Sequence, residues 1–140
     1  MNVDILARFA DEKGKITKSI VKPKLFEPTI KGNLSVFNVS DLSNAEKCKC
    51  GYNNVAKQKG RKLYGWAELE WTEFEKIGLE VFQDNDPQGH ANVTGWSTER
   101  KARKDQAQLL AKAASPTLLS PTVNKCSDCN EQKSEFRGTE

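Results

Sequence analysis

Residues 79–115 read LEVFQDNDPQGHANVTGWSTERKARKDQAQLLAKAAS, and the change of period within this stretch decides the fold class. Leu79 and Val81 alternate with Glu80 and Phe82, residues 84–89 supply dense turn chemistry, and an extended pattern resumes from His90 through Val93. This predicts a hairpin with a long loop. Ser97 or Thr98 then offers an N-cap, and Ala107, Leu110, Ala111 and Ala114 recur at helical spacing until Ser115-Pro116 stops the helix. The apolar face of that helix is made of small residues, so it should lie close against a sheet.

The charges of the helix run against its dipole. Arg100, Lys101, Arg103 and Lys104 occupy the first two turns, where the dipole already carries about half a positive charge and each added cation costs about 0.3–1 kcal/mol. Free backbone N–H groups, the dipole and four cations together fit an anion, with the phosphates of a nucleic-acid backbone as the natural guest. A solvated basic face, partly relieved by Glu99 and Asp105, is the plainer alternative. Arg61 and Lys62, ahead of the next strand upstream, are added to the candidate nucleic-acid-binding set.

At 140 residues the chain has room for one core. A domain at 1–115 and a polar tail at 116–140, ordered only by a partner or a metal, are expected. The net charge of +3 permits contact with nucleic acid without demanding it. No apolar run approaches a membrane span, and MNVDILARFADEK lacks the basic and apolar regions of a secretory leader, which predicts a soluble cytoplasmic protein.

Towards the N-terminus, residues 3–9 and 15–21 are expected to pair as a first hairpin around Asp11 to Gly14. Pro23 and Pro28 bracket an irregular connection. Leu34 to Val39 alternates as a half-buried strand, and Ser43 with Glu46 has the form of a capping box opening a helix that should break at Gly51. Leu63 to Trp71 carries the strongest strand signal, with Gly65 marking a bulge or a close backbone approach. Its alternation puts Leu63, Ala67, Leu69 and Trp71 on one face and leaves Tyr64 and Trp66 on the polar one, where they either cover a neighbouring strand or meet a partner. Residues 72–77 form at most one helical turn before Gly78.

Past Pro116 the chain is rich in Ser, Thr, Asn and Lys, and Leu118 and Leu119 stand out as anchors for a partner surface. The four cysteines come as Cys48-x-Cys50 and Cys126-x-x-Cys129. Two such halves make a Cys₄ zinc site that would tie the tail to the 43–59 segment; four reduced thiols are the alternative, and a disulfide is the least expected state for a cytosolic chain. The cofactor expectation is therefore none, or structural zinc.

His90-Ala91-Asn92 followed by Cys126-x-x-Cys129 resembles the metal-binding signature of the zinc nucleoside and nucleic-acid deaminases. Asn92 stands where that family has its proton-shuttling glutamate and Lys125 where it has proline, so the resemblance, about eight residues long, implies at most an inactive relic.

His90 is the single histidine. With Arg100, Lys101, Arg103 or Arg8 it supplies the inventory of a metal-independent endoribonuclease of toxin type, a general base and cations for the phosphate. Candidates for Ser-His-Asp hydrolysis exist as well, without the Gly-x-Ser-x-Gly elbow; no glycine-rich phosphate loop is present. Taken together, the sequence predicts an α+β domain: a mainly antiparallel sheet of about five strands packed by one or two helices, followed by a tail. The expected function is that of a small non-enzymatic accessory subunit of a larger protein or nucleoprotein assembly, touching RNA or DNA backbone through the basic helix and no membrane. The ribonuclease using His90 is the second reading.

Overall fold

A computed structural model describes residues 4–125 and 127–131. Six strands form one antiparallel sheet in the order β4-β5-β2-β1-β3-β6, with β1 at Ile5–Ala10, β2 at Leu34–Asn38, β3 at Leu63–Glu70, β4 at Glu80–Gln83, β5 at His90–Thr94 and β6 at Ser115–Val123. The α+β class with an antiparallel sheet is as the sequence predicts, with one more strand.

The central strand explains the layering. In ILARFA, Leu6 and Ala10 are buried on one face and Ala7 and Phe9 on the other, so β1 needs cover on both sides. The first face packs against helix α3 (Arg100–Ala113) through Ala107, Leu110 and Ala111, and against helix α2 (Trp71–Lys76) through Phe74. A 3₁₀ turn at Pro23–Phe26 completes that layer with Leu25 and Phe26. On the second face helix α1 (Asn44–Gly51) and the π-helical turn Tyr52–Ala56 cover Phe9, Phe37 and Trp66 with Cys48, Tyr52 and Ala56.

Helix α1 begins at the predicted capping box: Glu46 N–H donates to Ser43 Oγ at 3.2 Å, and Ser43 N–H donates to Glu46 Oε1 at 2.8 Å. It does not break at Gly51 as expected: that residue keeps helical dihedrals, the hydrogen bonding changes from α to π after it, and helical backbone runs on through Lys57–Lys59 to the left-handed Gly60. A Cβ at Gly51 would lie 2.7 Å from Cε1 and 2.8 Å from Cγ of the Phe9 ring, so only glycine lets the helix rest on that ring here.

Three further expectations are corrected. Residues 15–21 do not pair with β1; they close on themselves through a single Ile16–Val21 bridge, and β1 pairs with β2 and β3 instead. Within β3 the register shifts between Leu63 and Gly65, and a Cβ at Gly65 would run into the Thr117 carbonyl of β6. That bulge reverses the phase, so Leu63 shares the α1 layer with Trp66 while Ala67 and Leu69 face α3. Residues 116–123, expected in the tail, belong to β6, which pairs with β3. The two outer strands differ in kind: β6 carries Pro116 and Pro121, which have no amide hydrogen, and β4 has no proline. Among the described residues, no helix is long and apolar enough to cross a membrane.

Candidate functional site

Helix α3 begins beside a cleft of about 610 Å³ between the 27–33 loop and residues 94–104. Its lining includes Lys31, Arg100, Arg103 and Lys104, with Trp96 on one wall and Glu27 as the one carboxylate. The loop is held in a turn by Gly32 N–H donating to the Thr29 carbonyl at 2.8 Å and Thr29 N–H donating to the Asn33 carbonyl at 2.9 Å. Lys31 thereby stands opposite the helix. The spacing of α3 alone gives no sign of this residue, since the loop lies about 70 positions upstream.

The helix start departs from the sequence expectation. Glu99, not Ser97 or Thr98, is the N-cap, and its side chain caps nothing. Ser97 Oγ accepts from Glu99 N–H at 3.1 Å, and Ser97 N–H donates to Gln106 Oε1 at 3.1 Å, which folds the 97–99 segment back on the helix. The four cations then divide. Arg103 is half-buried, and its Nη1 donates to the carbonyls of Ser97 at 3.1 Å and Thr98 at 2.8 Å, so it holds the loop. Arg100, Lys101 and Lys104 are exposed and make no ion pair among the described residues. Of these, Arg100 and Lys104 line the cleft.

His90 lies elsewhere. It sits at the opposite end of β5 from the cleft, about 14 Å along the strand, and its ring packs edge-on to Phe37, on the face away from α3. Asp84 Oδ1 is 2.7 Å from His90 Nδ1, and His90 Nε2 is 3.1 Å from Ser35 Oγ. The carboxylate accepts, so Nδ1 carries the hydrogen and Nε2 of the neutral ring accepts from the Ser35 hydroxyl. Asp84 also takes Asp86 N–H on Oδ1 and the Asn92 amide on Oδ2, each at 3.1 Å. The bond from His90, then that from Asp86, holds the Asp84 carboxyl below its ordinary pKa. Arg8, also offered as a phosphate cation, is committed to carbonyls: Nε donates to Leu25 at 3.0 Å and Nη1 to Ser35 at 2.9 Å. The sequence does not single out Ser35 or Asp84, which lie 55 and 6 residues from His90 with no shared motif.

The remaining candidates scatter. Arg61 pairs with Asp11 at 3.5 Å and Glu12 at 3.6 Å, Lys62 is exposed, and neither lines the cleft. Trp66 is no partner surface: it is fully buried, edge-on to Phe9, with Nε1 donating to Glu68 Oε2 at 2.8 Å. Tyr64 is half-buried against the α3-side core. Leu119 is buried in the α1-side core and Leu118 packs against the other, so both serve the sheet once β6 has formed.

The cysteines do not converge as a metal set among the described residues, where no group of three or more His, Cys, Asp or Glu side chains is placed to hold an ion. Cys48 is joined to Cys129 in a disulfide with its Cα atoms 5.6 Å apart, fastening the short helix α4 (Asp128–Glu131) to α1. Cys50 is a free thiol whose pKa burial raises, and Cys126 lies outside the described residues. The deaminase resemblance finds no support in this arrangement, because His90 is engaged by Asp84 and Ser35 and Cys129 by Cys48.

Comparison with protein-family models, with curated proteins and with solved structures gave no match to this chain.

Proposed function

We propose that the protein is a binding subunit that docks on the phosphate backbone of a nucleic acid, within a larger assembly, through the cleft between the 27–33 loop and the start of α3. The observation that carries this reading is the meeting of Lys31, Arg100, Arg103 and Lys104 around one cleft that a single carboxylate, Glu27, also lines. Arg100 and Lys104 point into water beside helix N–H groups that no side chain caps, a combination that attracts phosphate. The lining offers cations, hydroxyls and one half-buried indole, which suits the sugar-phosphate backbone better than the edges of particular bases.

The ribonuclease reading asked His90 to work with the cations of α3. They lie at opposite ends of β5 and on opposite faces of the sheet, an arrangement that lends that pairing no support.

The test is binding of a labelled single-stranded RNA and a labelled duplex DNA across about 50–200 mM salt. Arg100→Ala with Lys104→Ala should weaken binding tenfold or more and reduce the slope of log affinity against log salt by about 0.7–0.9 for each phosphate that is no longer neutralised. Arg103 is left in place because it holds the loop. An unchanged affinity and slope in the double variant rejects the reading.

A further inference from the structure

The His90 network lies outside the cleft and is not used by the proposed binding function. We propose that Ser35, His90 and Asp84 form a second, catalytic site, in which Ser35 is the nucleophile of acyl transfer from small carboxylic esters with an apolar acyl group.

The geometry is that of a nucleophile, a base and the group that orients the base. Ser35 Oγ and His90 Nε2 are 3.1 Å apart, and His90 Nδ1 and Asp84 Oδ1 are 2.7 Å apart. Those distances fall in the range over which a hydroxyl passes its proton to imidazole and a carboxylate fixes the tautomer. The ring has little freedom to leave this pose, since the Phe37 ring supports it at a centroid distance of 5.4 Å. The carboxylate is itself held by Asp86 N–H and the Asn92 amide. Behind the serine, the Arg8 guanidinium grips the Ser35 carbonyl at 2.9 Å and anchors the backbone of β2.

The site is also open. Ser35 is exposed, and the histidine and aspartate side chains retain 14% and 29% of their accessible surface. Beside it stands an apolar feature the fold does not need. In the registers of β4 with β5 and β5 with β2, Phe82 opposes Asn92 and Asn92 opposes Ser35, so Phe82 occupies the same face two strands from the serine, about 10 Å away. Phe82 is 69% exposed, against full burial of Phe26 and Phe74 in the core. An acyl chain lying along that face would cover Phe82 while its carbonyl carbon reached Ser35.

In the first step Ser35 Oγ adds to the ester carbonyl carbon as its proton moves to His90 Nε2. The tetrahedral intermediate expels the alcohol oxygen, which takes that proton from His90, leaving an acyl-serine. Water then adds to the acyl carbon with His90 as base, the carbon to Oγ bond breaks, and Ser35 regains its proton as the carboxylic acid departs.

The experiment treats the purified full chain with an alkyl fluorophosphonate and maps the adduct by peptide mass spectrometry. Ser35 should be modified, Ser35→Ala should carry no adduct, and His90→Gln should react on the order of 100-fold more slowly. On nitrophenyl esters, Phe82→Ala should slow the butyrate more than the acetate. An unmodified Ser35 in a chain with native near-ultraviolet circular dichroism overturns the proposal, as does equal labelling in His90→Gln. Equal loss on the two esters in Phe82→Ala overturns the assignment of the acyl surface.

Discussion

Arg103 Nη1 lies 2.8 Å from the carbonyl oxygen of Thr98, so one of the four cations of the α3 start is taken up in closing its own loop. Arg103→Ala should therefore lower stability by about 1 kcal/mol, the net worth of a hydrogen bond of this kind in a half-exposed place. Arg100→Ala removes no ion pair among the described residues and should stay within about 0.5 kcal/mol of wild type. Urea midpoints of the two variants measure the difference, and equal shifts would contradict the division of roles.

Gly51→Ala sets two effects against each other. Alanine in place of glycine favours a helix by about 1 kcal/mol, while a methyl forced against the Phe9 ring costs about 1–3 kcal/mol in overpacking. With Cε1 at 2.7 Å and the ring wedged between Phe37 and Trp66, the ring has nowhere to go. The clash should win, giving a net loss that a thermal melt would show. A stabilised variant would mean that the ring yields.

The capping box predicts an acid limb to the stability curve. Glu46 is held below its ordinary pKa first by the Ser43 backbone N–H, then by the Ser43 side chain. A depressed carboxyl stabilises the fold above the unfolded pKa and loses that contribution as pH falls through the folded one, so the effect fades below the ordinary glutamate range. Glu46→Gln should flatten this part of the curve while Ser43→Ala costs about 1 kcal/mol at neutral pH. Urea unfolding from acid to neutral pH distinguishes them; an acid limb unchanged in Glu46→Gln would rule out the capping carboxylate as its source.

Much of the fold is legible in sequence wherever neighbours along the chain set the outcome. The capping box at Ser43, the β4–β5 hairpin and the α3 charge pattern all depend on residues a few positions apart. The errors arise where distant segments decide. Pro116 and Pro121 look like the end of the domain, yet proline is tolerated on an outer strand, and β6 is one. Gly65 signals a bulge but not its effect on phase, so alternation alone puts Leu63 and Tyr64 on the wrong faces, and it does not show that the face of Trp66 is covered by α1. Lys31 reaches the cleft and Ser35 reaches His90 only through folding, and the charge or polarity of either residue alone points to neither site.

Reduction offers a further test. The Cys48–Cys129 link spans 81 residues, enclosing β3 through β6. On the chain-entropy argument a loop of that size is worth about 4.5 kcal/mol, with about 2 at the lower end of common values. Melting with and without a thiol reductant should show that loss, and Cys48→Ala with Cys129→Ala should melt like the reduced protein. Identical melting curves would mean that the link adds nothing to the fold.

The unlike rims of the sheet bear on self-association. β4 presents a run of amides uninterrupted by proline, whereas β6 lacks two donors. Edge-to-edge pairing between copies is thus favoured at one rim only. Two molecules joined β4 to β4 would each have used up the receptive side, and the rims left facing outward are poor templates. Such growth ends at a pair instead of propagating into a fibre.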